Sequence, residues 1–122
     1  MKRTVLRMGM LTLLLTFGLA LAACQEDSPQ VVVEKYIAAI LKGDVAEAKK
    51  YGPGELAPGV DINDENIMQT LQQMFSGAKI SDVQLNGNTA IVNWSKETPD
   101  SSGSGYFTVV KEGSTWKIKG DE

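Results

Sequence analysis

The chain has 122 residues, 12 basic against 15 acidic side chains, one cysteine and no histidine. The missing histidine removes the commonest general base and the commonest metal ligand, and a single cysteine leaves no disulfide within the chain. A net negative charge without a basic cluster argues against nucleic acid and against electrostatic binding to anionic headgroups.

The first element is an address. Lys2, Arg3 and Arg7 open the chain without an acid, and Met8 to Ala20 are apolar apart from Thr12, Thr16 and two glycines. Leu21-Ala22-Ala23-Cys24 follows, then polar Gln25-Glu26-Asp27. A cationic start, an apolar run and small residues before a cleavage point are the three parts of a secretory signal. Met8 to Ala23 is 16 residues, short of the about 20 that cross the hydrocarbon, so a retained anchor helix is the weaker alternative. The four residues ending at Cys24 resemble the bacterial lipobox. The resemblance implies cleavage between Ala23 and Cys24, a diacylglycerol on the Cys24 sulfur and, in many Gram-negative species, an acyl chain such as palmitate on its amine. It implies no other cofactor. Two or more acyl chains hold a protein firmly, where one binds marginally. Gln25 after the cysteine, where Asp marks inner-membrane retention, leans towards the outer membrane of a Gram-negative cell.

Residues 1–23 are thus read as a cleaved signal, 24–27 as a lipidated tether and 28–122 as one α+β domain. The remaining 99 residues carry nine basic and fifteen acidic side chains, enough chain for a single modest core. At 3.3–3.6 Å per extended residue the tether spans roughly 13–14 Å, which keeps the domain close to the bilayer.

Ser28-Pro29 reads as the cap and first residue of a helix over 28–42. Val32, Val33, Tyr36, Ile37, Ile40 and Leu41 form its apolar stripe, and Gly43 takes the left-handed position after Lys42. Asp44-Val45-Ala46-Glu47 is a variant capping box for a second helix to about Tyr51. Gly52 to Val60, with Ala57-Pro58-Gly59, reads as loop. Asn63 is the predicted cap of a third helix, with Ile62 stapled onto Ile67. Ile67, Met68, Leu71, Met74 and Phe75 form its stripe, and Gly77 closes it.

The period then changes to two. Ile80 to Leu85 and Thr89 to Ser95 read as strands around Asn86-Gly87, a hairpin signal. Ala90, Val92 and Trp94 share one face. Lys96 to Gly105 reads as a polar loop, Tyr106 to Lys111 and Thr115 to Lys119 as strands joined at Glu112-Gly113. Three helices before a four-stranded antiparallel meander make an α+β domain whose sheet is covered on one face.

Ser28-Pro29, the stripe from Val33 to Ile40, Lys42-Gly43-Asp44, Ala46-Glu47-Ala48-Lys49 and Ser114-Thr115-Trp116-Lys117-Ile118 together resemble the NTF2-like (cystatin-like) superfamily. The likeness is to its small secreted lipoproteins of the DUF4878 or lumazine-binding-like type, and covers nearly all of the mature chain. Longer members have six strands, or one before the third helix, so this chain looks trimmed. The resemblance implies a sheet curled around the first helix and a conical pocket. Candidate pocket-lining residues are Tyr36, Phe75, Trp94, Tyr106 and Trp116, with Phe107, Met68 and Met74 beside them as core or wall. A cavity lined by Trp94 or Trp116 favours a small apolar ligand, and exposed apolar surface on the sheet favours an envelope protein or a homodimer. Relatives of the ketosteroid-isomerase kind imply an alternative, an isomerase or hydrolase-like enzyme with Tyr36 as donor and Asp82 as a distant base. A purely structural envelope protein is the third reading. No catalytic residue and no metal ligand is assigned: Asp61, Asn63 and Glu65 start like a calcium loop, but Asn66 stands where Gly is needed and Gln72 where Glu is needed.

Overall fold

The computed structural model describes residues 27–99 and 102–120. Ala23 and Cys24, with the whole predicted signal and most of the tether, lie outside the described residues. No helix among the described residues is long and apolar enough to cross a membrane.

Helix α1 runs Pro29–Lys42. The Ser28 hydroxyl accepts from the Val31 amide at 3.3 Å, and Pro29 sits where an amide has no partner anyway. Gly43 adopts φ 73°. Its amide donates to the Ile40 carbonyl and the Asp44 amide to the Ala39 carbonyl, both at 2.9 Å. This pair of bonds is a Schellman motif, and it is why the helix stops there. Asp44 then caps α2, Val45–Ala48, by accepting from the Glu47 amide at 3.1 Å. The chain continues to Tyr51 in turns, so the α-helix is shorter than predicted.

The segment read as loop contains a small hairpin, β1 (Glu55–Ala57) with β2 (Val60–Asp61). Pro58-Gly59 forms its turn, with Gly59 at φ 81°, the pattern of a type II turn. The described residues therefore carry this two-stranded hairpin besides the expected four-stranded antiparallel sheet, so the chain is less trimmed before the third helix than the sequence suggests. Helix α3, Glu65–Phe75, is capped by Asp64 rather than Asn63. The Asp64 carboxylate accepts from the amides of Asn66 (2.9 Å) and Ile67 (3.4 Å). Asn63 is otherwise engaged: its side-chain nitrogen donates to Asp61 at 2.8 Å and its oxygen accepts from Lys49 at 3.3 Å. Gly77 at φ 81° ends α3.

Four antiparallel strands follow in the order β3 (Lys79–Asn86), β4 (Thr89–Glu97), β5 (Ser102–Glu112) and β6 (Thr115–Lys119). Asn86 pairs with Thr89, so the loop residues are Gly87 and Asn88. Only the first has positive φ, 61°, a II′ pattern shifted one residue from the predicted Asn86-Gly87 centre. Much of the predicted polar loop is strand instead: Lys96 pairs with Gly103 and Trp94 with Gly105. A Cβ on Gly105 would lie 2.8 Å from the Trp94 indole nitrogen, so glycine there is a packing requirement of the tryptophan, not a loop signal.

Ala90, Val92 and Trp94 of β4, Phe107 and Val109 of β5 and Ile118 of β6 form the buried face of the sheet. Val33, Tyr36 and Ile40 of α1 and Leu71 and Phe75 of α3 close over it. Each of the larger aliphatic and phenylalanine side chains contributes about 1.5–3 kcal/mol of transfer free energy, and no charged side chain is buried among the described residues. Tyr36 meets Phe107 edge-on at 6.0 Å, and Phe75 meets Trp94 edge-on at 5.3 Å. Met74 leaves the predicted stripe and is 42 % exposed. Two polar ties fix the helices to their neighbours: Gln72 donates to the Ile40 carbonyl at 3.1 Å, and Lys96 to the Gln73 carbonyl at 2.7 Å.

Candidate functional site

Where α3 crosses the lower half of β5, the sheet is only partly covered. A cleft of about 270 Å³ opens there, walled by Leu71, Met74 and Phe75 of α3, Trp94 of β4 and Tyr106 and Phe107 of β5. Leu56 and Ala57 of β1 form the far side, and Ser104, Thr108 and Lys119 supply its polar rim. The position follows from the local sequence. Alternation on β4 and β5 turns Trp94 and Phe107 inward, and small Gly105 between them lets the indole lie flat on the backbone. Trp94 and Phe75 are buried, while Tyr106 is 62 % exposed at the mouth. Lys119 is the one charged side chain in the lining among the described residues.

Of the five candidate pocket residues, Phe75, Trp94 and Tyr106 border this cleft. Tyr36 and Trp116 lie elsewhere. Tyr36 is fully buried under α1, and its hydroxyl donates to the Pro53 carbonyl at 3.1 Å. Burial holds its phenol well above the usual range. The carboxylate that proton transfer would require is not its partner: Asp82 is exposed on the outer strand β3, accepting from Gln84 at 3.5 Å. Trp116 is half-buried near the β5–β6 turn, opposite Lys111, whose ammonium lies 5.9 Å from the ring centre. Met74, expected as core or wall, belongs to the cleft, and so do Leu56 and Lys119. Lys119 carries no signal beyond its place at the end of β6, and Leu56 sits in a strand too short to show alternation.

A larger groove of about 420 Å³ runs between α1 and the start of β3, with Glu34, Ile37, Leu41, Lys79 and Ile80 in its walls. Its lining mixes charges with aliphatics and has no aromatic wall, so the smaller aromatic cleft is the better ligand site. The calcium-like start at Asp61 is occupied by the protein itself. Asp61 accepts from the Asn63 backbone and side-chain nitrogens, both at 2.8 Å, and the backbone bond foremost holds its carboxyl below the usual range.

No protein-family model matches the chain, and no curated protein matches it. Solved structures do. A de novo designed NTF2-fold protein, NT-9, is 17 % identical over 80 % of this chain and 88 % of its own, with a TM-score of 0.53. An NTF-2-like protein of unknown function from Silicibacter pomeroyi DSS-3 is 16 % identical over 75 % and 87 %, with a TM-score of 0.52. The fold is NTF2-like (cystatin-like).

Proposed function

We propose that the chain is a non-catalytic NTF2-like binding module, carried as a small lipoprotein of the DUF4878 or lumazine-binding-like type and held at a bacterial envelope membrane by lipid on Cys24. The α3–β5 cleft is its binding site and takes an apolar group. The observation that carries this reading is the cleft's lining: eight apolar or aromatic side chains, two hydroxyls and one lysine at the rim, and no carboxylate. The tyrosine on which proton-transfer chemistry would depend is sealed in the core with its hydroxyl already bonded. The four lipobox positions before and at Cys24 support the anchor, and Gln25 supports the outer membrane in a Gram-negative cell.

The test keeps the protein in its own membranes. An alkyl diazirine is photolysed with the full chain, and the adducts are mapped by mass spectrometry. Adducts are expected on Met74, Phe75 or Tyr106, and Met74→Glu is expected to reduce them at least fivefold while leaving the melting temperature within a few degrees, because Met74 is 42 % exposed. Adducts confined to other surfaces would remove the cleft as the site. In parallel, Cys24→Ser is expected to abolish palmitate labelling and membrane fractionation. Unchanged fractionation would refute the anchor.

A further inference from the structure

The sheet has three free or partly free edges, and they are treated differently. Strand β3 is an outer strand, but it carries Lys79 and Asp82, and an extra residue, Ser81, bulges between Ile80 and Asp82. Charges and bulges are the usual guards against pairing with another chain. The outer edge of β6 is covered by its own chain, since the Ile118 amide donates to the Tyr51 carbonyl at 2.8 Å. The third edge is the lower half of β5. Strand β6 pairs only with Thr108 to Glu112, so Ser102 to Phe107 have β4 on one side and no strand on the other among the described residues.

The direction of the backbone groups on that half can be worked out. The Lys111 amide donates to the Asn88 carbonyl at 2.8 Å, towards β4. Backbone groups alternate sides along a strand, so Val109, Phe107, Gly105 and Gly103 also face β4. Thr108 and Val110 then face β6, and Ser102, Ser104 and Tyr106 present their N–H and C=O groups to the open side. That open side is the cleft. The edge reads Ser102-Gly103-Ser104-Gly105-Tyr106, with no charge, no proline and no β-branched side chain to hold another chain off. Beyond it stand Leu56 and Ala57 of β1, and β6 ends in line with the gap at Lys119. An unguarded row of backbone donors and acceptors beside an apolar cleft supplies the two components of strand addition: main-chain bonds for affinity and a pocket for one side chain.

We propose that this edge of β5 takes an extended peptide strand from a partner protein, in line with β6, with an apolar side chain in the α3–β5 cleft and an acidic residue meeting Lys119. The choice of an acidic flank rests on charge: Lys119 is the cleft's one charged group and has no ion-pair partner among the described residues. The proposal rests on the cleft being the binding site, as argued above, and adds that the occupant is a peptide held by its backbone.

The test uses the full lipidated chain in nanodiscs and a dye-labelled, capped heptapeptide of alternating threonine and valine with a central phenylalanine and a neighbouring aspartate. Binding is read by fluorescence anisotropy. The same peptide with its two β5-facing amides N-methylated is expected to bind at least tenfold more weakly. Ser104→Pro, which removes an amide pointing away from β4, is expected to weaken the parent peptide by a similar factor, and Ser104→Ala to stay within twofold. Lys119→Glu is expected to lower affinity for the aspartate peptide and not for its asparagine version. Equal binding of the parent and N-methylated peptides overturns strand addition and leaves the apolar site standing. Absence of peptide binding alongside diazirine labelling of Met74 or Tyr106 does the same. Absence of both removes the peptide and the site together.

Discussion

Replacing Tyr36 by Phe isolates one hydroxyl in the centre of the core. The ring is fully buried, and its hydroxyl bonds the Pro53 carbonyl at 3.1 Å. Phe keeps the edge contact with Phe107 at 6.0 Å, so the apolar term is unchanged. The site cannot collapse around the missing oxygen from the Gly52 side, where even a Cβ would lie 2.8 Å from the ring. What remains is one neutral hydrogen bond and a carbonyl left without its donor, a cost of about 1–2 kcal/mol. For a domain of this size that lowers Tm by roughly 4–8 °C per kcal/mol. The variant also changes the response to alkali. Burial holds the folded phenol above its ordinary value, so the folded state keeps a proton that the unfolded chain releases above about pH 10. The stability from this group is fully present below pH 10 and is lost as pH rises beyond it. Phe has no such loss, so the difference in Tm between wild type and Tyr36→Phe narrows from pH 9 to pH 11. Every other group is common to both proteins, so its contribution cancels in the difference. Thermal unfolding by circular dichroism at pH 7, 9 and 11 decides it. Equal Tm at pH 7, or a difference that is flat or grows with pH, refutes the reasoning.

Gly105→Ala places a methyl 2.8 Å from the Trp94 indole nitrogen, an overpacking cost of about 1–3 kcal/mol. A Tm equal to wild type would show that the indole does not need the glycine. Gly43→Val forces a β-branched side chain to φ 73°, against Gln72 at 3.4 Å. It is expected to cost about 1–2 kcal/mol or more in urea unfolding, and an unchanged midpoint would contradict the left-handed cap. Asp64→Ala is expected to cost about 1 kcal/mol as the loss of a helix cap, with Asn63→Ala costing less. The reverse order in the same assay would return the cap to Asn63.

The elements that could be read from sequence are those whose signals are local. Ser28 and Gly43 bracket α1 with chemistry that acts within four residues, and Asp44 caps α2 in the same way. The alternation of Ala90, Val92 and Trp94 follows from the pleated geometry of a single strand and needs no partner to be read. The misses all depend on partners distant in sequence or on competition between equals. Asn63 and Asp64 are both good caps, and only the Asp61 and Lys49 contacts to Asn63 decide between them. Strands of three and two residues, β1 and β2, are too short for a period. Gly103 and Gly105 carry loop composition, and their strand state is set by pairing with Lys96 and Trp94. For the cleft, Phe75 and Trp94 were legible because large side chains on the inward face must meet, whereas Tyr106 alternates with inward Phe107 and reaches the cleft only at its mouth. Tyr36 and Trp116 share that inward face but lie outside the cleft. The covering helix α1 seals the first, and the second sits near the hairpin turn.

The two tryptophans of the chain stand in unlike surroundings. Trp94 is 6 % exposed, edge-on to Phe75 at the cleft, and Trp116 is half-buried near the β5–β6 turn beneath an ammonium group. The molecule therefore carries two intrinsic fluorophores that report separately. Trp94 emission, blue-shifted and sheltered from acrylamide, follows occupancy of the cleft. Trp116, only partly buried, is expected to be more accessible to the quencher than Trp94 and to follow fraying of the hairpin, so each Trp→Phe variant leaves a protein in which one event is watched without a label.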